Sequence, residues 1–364
     1  MKINIGSIDL NDANFEWVAP EDIQNKQGAL LVPAGRVIDK RDLDRLKIHG
    51  IGFINATKID KASGAVVTNH EPEPVSKSLV HTQEFKEFSV DYKQKSDKTR
   101  NILNAIKNSH EMRVEEVAKI TEALITDVAE KQNALSFLWF MQDFDDYTAF
   151  HSNNVAVLAN TFGRWLKLGK NELETLTLAA LLHDVGKLEI PAEIANKSSK
   201  LDEEEYEIMK THPEHGYERL RLGDFPNEVM RVALLHHERI DGSGYPFGLG
   251  DGQIDRFAKI VAICDTYDAM SSRRPYKEQT DPFTVIRKFE REMLGILDTE
   301  LLLIFLKNIS QGYVGSWVSL SDGREAEVLI INSTNISKPV VRTADNEILI
   351  LSDFDDLYIV TLLR

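Results

Sequence analysis

A single cysteine, Cys264, occurs in 364 residues, so no internal disulfide can form and the fold must rest on packing and hydrogen bonding. Positive charge is also scarce. Lys and Arg number 43 against 58 Asp and Glu, a formal net charge of -15. That balance excludes nonspecific binding to long nucleic acids or to anionic lipid, both of which reward a basic excess. An anionic ligand must therefore be held locally. Long apolar runs are absent too: nothing approaches about 18 uninterrupted apolar residues, and the most apolar helical stretch, 293–306, is interrupted by Asp298 and Glu300. No membrane insertion is expected. The opening Lys2-Ile3-Asn4-Ile5 lacks the charged-then-apolar order of a leader, so a cytoplasmic location is expected. There is no internal repeat and no low-complexity tract.

What is present is ordinary for a globular chain, 42% hydrophobic and 28% charged residues, with length enough for two or three domains. Residues 1–65 combine short β-like runs with one helix near Lys40 to His49, stopped by Gly50, and read as a small α/β module. They lack the phosphoacceptor pattern of a receiver domain. The polar stretch 66–83, with Glu71-Pro-Glu-Pro74, reads as a linker. From 84 to 311 the apolar spacing is helical, as in Val114, Val117, Ile120, Leu124 and Val128. Helices are expected near 145–168, 171–184, 202–221, 226–238, 256–271, 281–292 and 298–308. After Gly312 the runs become short and β-branched, with Ser321-Asp-Gly323 as a turn, so 312–364 is expected to be a small β domain. The fold class expected is multidomain and mainly α, with a central helical bundle between a small α/β module and a small β domain.

Three apolar helices break into ligand-type residues. Leu176 to Leu182 ends in His183-Asp184, Val229 to Leu235 ends in His236-His237, and Asp265 interrupts 260–264. Polar groups at the ends of buried runs are costly unless something satisfies them. One such break is chance; three suggest inward-facing ligands from several helices of a bundle. With His151 and His212 they exceed what one ion needs, and carboxylate with imidazole suits iron or manganese better than thiolate-seeking metals. A metal-dependent hydrolase follows.

The stretch 145–308 resembles the HD-GYP family, a branch of the HD phosphohydrolases that cleave cyclic dinucleotides. The resemblance rests on His151-Ser-Asn-Asn-Val155, Leu182-His-Asp-Val-Gly-Lys187, His212-Pro-Glu-His-Gly216, His236-His-Glu238, Asp241-Gly-Ser-Gly-Tyr-Pro246, Asp265-Thr-Tyr-Asp-Ala-Met270 and Arg274-Pro-Tyr-Lys277. It implies one metal held by His151, His183, Asp184 and Asp265, and a second held by His212, His236 and His237, with Asp184 bridging. Some members bind a third metal through a glutamate four residues before the first histidine; here that residue is Tyr147, so two divalent ions, Fe or Mn, are expected. Asp184 and Lys187 are the implied catalytic residues, Lys187 donating to the scissile phosphate. Gly244, Tyr245, Arg274 and Lys277 are the implied substrate contacts. Asp268, one helical turn from Asp265, is a candidate acceptor behind the ligands, and Cys264 reads as core.

The activity implied is hydrolysis of cyclic di-GMP to pGpG, and onward to GMP, by a metal-bridging hydroxide. Two alternatives stay open at this point: a noncatalytic cyclic di-GMP receptor, and a hydrolase of another cyclic dinucleotide such as cyclic GMP-AMP. Diguanylate cyclases or other signalling proteins are the partners the family implies, and a homodimer is compatible with the sequence.

Overall fold

The computed structural model describes residues 2–4, 8, 10, 15–25, 28–51, 53–60, 82–109, 114, 117–119, 121–122, 137–139, 141, 147–197, 199–272 and 280–363. The expected linker at 66–83 except for its last two residues, most of the 114–128 stripe, and both Arg274 and Lys277 fall outside them. The chain forms two compact units. One comprises 80–280 with 291–305; the other comprises 1–79, 281–290 and 306–364.

The first unit is the helical one. Its long entry helix α2 (Gln83–Ser109) packs against α3 (Tyr147–Trp165), which pairs closely with α4 (Lys170–Leu182). Gly163 permits the α3–α4 approach, because a Cβ there would lie 2.7 Å from a Leu173 methyl. Every residue of α4 from Leu176 to Leu182 is buried, as an apolar helix covered on all sides must be. After a short 3-10 turn at Val185–Glu189 come α5 (Ala192–Ala195), α6 (Glu203–Met209), α7 (His212–Leu222) and α8 (Asn227–Leu235). The sequence suggests one helix over 202–221. The structure splits it at Lys210-Thr211, because Pro213 donates no N–H and sits in the first turn of a new helix. α9 (Arg256–Ser271) starts at Asp255, whose carboxylate caps Phe257 N–H at 2.9 Å, and is buried along most of its length.

The second unit joins the two ends of the chain. α1 (Lys40–Ile48) is held by a reciprocal cap between Asp39 and Asp42, and the N-terminal strands pair antiparallel as β1–β5, β2–β6 and β3–β4, over Lys2–Asn4 with Phe53–Asn55, Phe15–Val18 with Thr57–Asp60, and Ile23–Gln24 with Leu30–Val32. The C-terminal strands β7 (Trp317–Leu320), β8 (Glu325–Ile330), β9 (Val340–Thr343), β10 (Ile348–Ile350) and β11 (Ile359–Leu362) make one antiparallel sheet in the order β10-β9-β8-β7-β11. Gly323, at φ +87°, turns β7 into β8. Val18 and Ile59 share a buried cluster with Ile330 and Val340, so the terminal segments, read in the sequence as separate modules, are packed as one body. Residues 281–290, expected within the bundle, also belong here: α10 (Pro282–Lys288) lies on β11, and Asp281 accepts N–H bonds from Phe283 and Leu362. α11 (Thr299–Gln311) follows, with 306–311 in this unit. No described helix is long and apolar enough to cross a membrane.

Candidate metal centre

Five elements of the helical unit converge at one place. His151 projects from α3; His183 and Asp184 follow α4; His212 starts α7; His236 and His237 follow α8; and Asp265 lies within α9. The structure therefore brings together all seven residues marked out in the sequence. Their atoms fall into two groups, each within 4.8 Å: Asp184, His212, His236 and His237, and His151, His183 and Asp265.

Asp184 stands between the groups. Its Oδ1 lies 3.3 Å from His212 Nε2 and 3.6 Å from His236 Nε2, while Oδ2 lies 3.3 Å from His183 Nε2 and 3.6 Å from His151 Nε2. Asp265 Oδ1 is 3.2 Å from His151 Nε2 and 4.0 Å from His183 Nε2, and its Oδ2 is 3.9 Å from His237 Nδ1.

The outer hydrogen bonds decide what these rings present inward. His183 Nδ1 donates to Ala180 O at 2.7 Å, His212 Nδ1 to Met209 O at 2.7 Å, and His236 Nδ1 to Ala233 O at 3.0 Å. A neutral imidazole that donates from Nδ1 carries its lone pair on Nε2. Lone pairs on His212 and His236 thus face each other across 3.5 Å, with a carboxylate oxygen beside them. Among the described residues, His183 Nε2 and Asp184 Oδ1 are the buried side-chain atoms without a hydrogen-bond partner. Buried acceptors aimed at acceptors are costly, and a divalent cation among them removes that cost. The donor set fits such an ion.

The charges agree. Burial lowers His236 to about 4 and His237 well below the usual imidazole range, so both are neutral near pH 7. Burial alone would raise Asp184, but Lys187 and the imidazoles outweigh it and hold the carboxyl well below its usual range. At His151 burial is likewise outweighed, here by Asp265 and Asp268, and the ring rises to about 9. A cation entering there displaces that proton.

Behind the ligands lies a polar network that the sequence indicates only in part. Asp268 Oδ2 meets His151 Nδ1 at 2.7 Å, as its position one turn from Asp265 suggests; Asp268 Oδ1 accepts Asn154 Nδ2 at 2.7 Å, and Tyr92 OH of α2 donates to Asn154 Oδ1 at 2.7 Å. Asn154 follows His151 by three residues, the spacing that puts it on the same helix face, and that was its available signal. Glu238 has none beyond its place after His237. It is buried and clamps the glycine-rich loop, accepting Phe247 N–H on one oxygen and Leu249 N–H on the other, each at 2.8 Å.

That loop needs its glycine at 244, where a Cβ would lie 2.5 Å from both Glu238 Cα and His237 O. The Tyr245 ring stacks on His237 with centroids 4.6 Å apart, and burial raises its hydroxyl so that it stays a donor. Lys187 Nζ sits 2.5 Å from Asp184 Oδ2. Gly186 is pressed against α7, where a Cβ would run into the carbonyl of His212 and the N–H of Gly216. Cys264 is buried and its thiol is pushed well up by that burial, so it is inert packing. Tyr147 opens α3.

Residues 144–299 match the family model of the HD domain. That segment is an HD domain, and its buried His/Asp cluster makes it metal-binding and dependent on divalent metal. Its motifs are those on which the resemblance to the HD-GYP family rests. The chain is 36% identical over 224 residues to a cyclic di-GMP phosphodiesterase of Pseudomonas aeruginosa, covering 61% of this chain and 54% of that protein. It is 36% identical over 188 residues to a cyclic di-GMP phosphodiesterase of Thermotoga maritima, covering 51% and 50%. It is 35% identical over 168 residues to a 3'3'-cGAMP-specific phosphodiesterase of Vibrio cholerae, covering 46% and 39%. The chain thus spans about half the length, or less, of these relatives. Among solved structures it shares the fold of an HDG"Y"P protein from Bdellovibrio bacteriovorus, with TM-score 0.51 and 16% identity over 84% of this chain and 97% of that one.

Proposed function

We propose that the protein is a metal-dependent phosphodiesterase that opens cyclic di-GMP to pGpG, and onward to GMP. The observation that carries this is the inward convergence of His212 Nε2, His236 Nε2 and Asp184 Oδ1, acceptors that only a cation reconciles. Two ions, iron or manganese, fit the two groups of donors divided by Asp184. When bound, such ions lower the pKa of water and neutralise phosphoryl charge, which is the chemistry a phosphodiester needs.

The chain's own residues supply the rest. Asp184 orients the two groups through its separate oxygens. Lys187 donates to a nonbridging oxygen of the scissile phosphate, since its ammonium already lies beside Asp184 where that phosphate must come. Tyr245, fixed on His237 over the Gly244 turn, offers a hydroxyl donor to the substrate at the rim. Arg274 and Lys277 complete the phosphate contacts in this reading. Diguanylate cyclases as partners, a homodimer and a cytoplasmic setting belong to the same proposal.

A second reading, hydrolysis of 3'3'-cGAMP, is favoured by the Vibrio relative that carries that specificity. The deciding experiment is chromatography of products from cyclic di-GMP, cyclic GMP-AMP and cyclic di-AMP. Protein loaded anaerobically with ferrous iron or manganese is compared with His183→Ala. Conversion of cyclic di-GMP by wild type alone supports the first reading, and preference for the hybrid dinucleotide supports the second. Binding without products, with metal present, overturns both in favour of a receptor.

A further inference from the structure

Next to Asp184 lies a cavity of about 230 Å³ within the helical unit. One wall carries Asp184, Lys187 and Asn196; the other is α2, which contributes Arg100, Asn104 and Lys107. Spacings of four and three put these three side chains on one stripe of the helix. α2 precedes the segment that matches the HD family model, so no motif of that domain accounts for the stripe.

α2 is not a loose neighbour. Its Thr99 hydroxyl donates to Asn153 Oδ1 at 2.8 Å, and Ser96 accepts Asn153 Nδ2 at 3.0 Å, both bonds buried. Tyr92 is bonded to Asn154 as described, and Arg219 of α7 donates to the carbonyl of Ile106. Buried hydrogen bonds at several turns therefore fix where Arg100 and Lys107 stand relative to Asp184. The cationic groups of this cavity offer donors and no acceptor, the complement of an acceptor-rich anion. Arg100 is also paired with Asp97 at 2.9 Å, with both side chains more than 40% exposed, where an ion pair contributes little. The volume is below that of a pocket enclosing a whole drug-sized ligand, roughly 300 Å³ or more, so it takes one part of a dinucleotide.

We infer that α2 is the second wall of the substrate site, and that Arg100 and Lys107 bind the nonreacting phosphodiester of a cyclic dinucleotide while the reacting one lies at Asp184 and Lys187. This rests on the phosphodiesterase reading for its substrate class. It makes possession of two phosphates, and not the scissile bond alone, the basis of selection.

The test uses the full chain loaded with metal, the single variants Arg100→Ala and Lys107→Ala, and the double variant. Lys98→Ala, exposed on the same helix and away from the cavity, removes the same charge as a control. KM and kcat are read on cyclic di-GMP and on bis(p-nitrophenyl) phosphate, which has a single phosphodiester, and Kd for cyclic di-GMP is read by equilibrium dialysis. The double variant should raise the dinucleotide KM and Kd about 10- to 100-fold, with kcat and the KM for the simple diester shifting far less, while Lys98→Ala matches wild type. Dinucleotide KM and Kd unchanged in the double variant, an equal loss on both substrates, or an equal effect of Lys98→Ala overturns the inference. So does wild type that fails to bind cyclic di-GMP. Wild type that binds it but turns over neither substrate refutes the phosphodiesterase instead, and the Kd shift then still decides the role of α2.

Discussion

Buried or half-buried carboxylates occur in both units, and Asp184 is set apart from those of the terminal unit. In the terminal unit, Asp281 accepts Phe283 N–H at 2.9 Å and Leu362 N–H at 2.6 Å; Asp22 takes Lys307 and Ser333; and Glu290 takes the N–H groups of Ile336 and Ser337. Each of these acceptors meets a donor, so the groups close the structure on itself. In the helical unit Asp184 Oδ1 meets only imidazole lone pairs. A buried acid that meets donors is a brace; one that meets other acceptors is suited to hold a cation.

The sharpest way to break this contrast is Asp184→Ala. On the proposed two-ion phosphodiesterase reading, with the carboxylate between the two donor groups gone, metal content by elemental analysis should fall from two ions per chain toward none, and turnover should drop about a thousandfold or more. Retention of two ions would refute the assignment. Gly186→Ala should come next: with its Cβ forced against backbone, the helical unit should lose about 2–4 kcal/mol in urea denaturation, and metal content should fall with it. Lys187→Ala and Arg274→Ala test the phosphate role. Each should lower kcat/KM about 100-fold with metal content intact; loss of metal would show that they hold the centre and not the substrate.

The smallest effect belongs to the braced acid. Burial raises Asp281 to about 6 against the opposing N–H bonds. A carboxyl raised on folding binds its proton more tightly in the native state, so its stabilisation is complete below about pH 4 and is lost as pH rises through about 6. The stability difference between wild type and Asp281→Asn should therefore shrink by about 2 kcal/mol from pH 4 to pH 7. Amide exchange of residues 359–363, read over that range, checks it locally.

The sequence discloses the centre better than it discloses the architecture. Apolar helices that stop at His183 and His236 are local patterns, and the cost of burying them unaided is legible without coordinates. The break at Lys210-Thr211 turns on Pro213, whose place in a first turn is legible only when the histidine before it is taken as a helix start. β11 is short and follows the acidic stretch Asp353 to Asp356, so no periodicity announces it; its partner β7 and the Asp281 clamp on Leu362 specify it instead. The union of the two chain ends through Val18, Ile59, Ile330 and Val340 joins residues some 300 positions apart, a relation that no single-chain periodicity carries. Asp268 was visible as a carboxylate on the right helix face, whereas Glu238 takes its role from a loop nine to eleven residues ahead.

Gly186 has a consequence for how the centre is spaced. The turn that bears Asp184 and the helix that begins with His212 touch main chain to main chain at Gly186 and Gly216, with no side chain between them to compress or tilt. The gap between Asp184 and His212 is accordingly a fixed gauge, set in backbone. The spacing of these donors is therefore a property of the main chain.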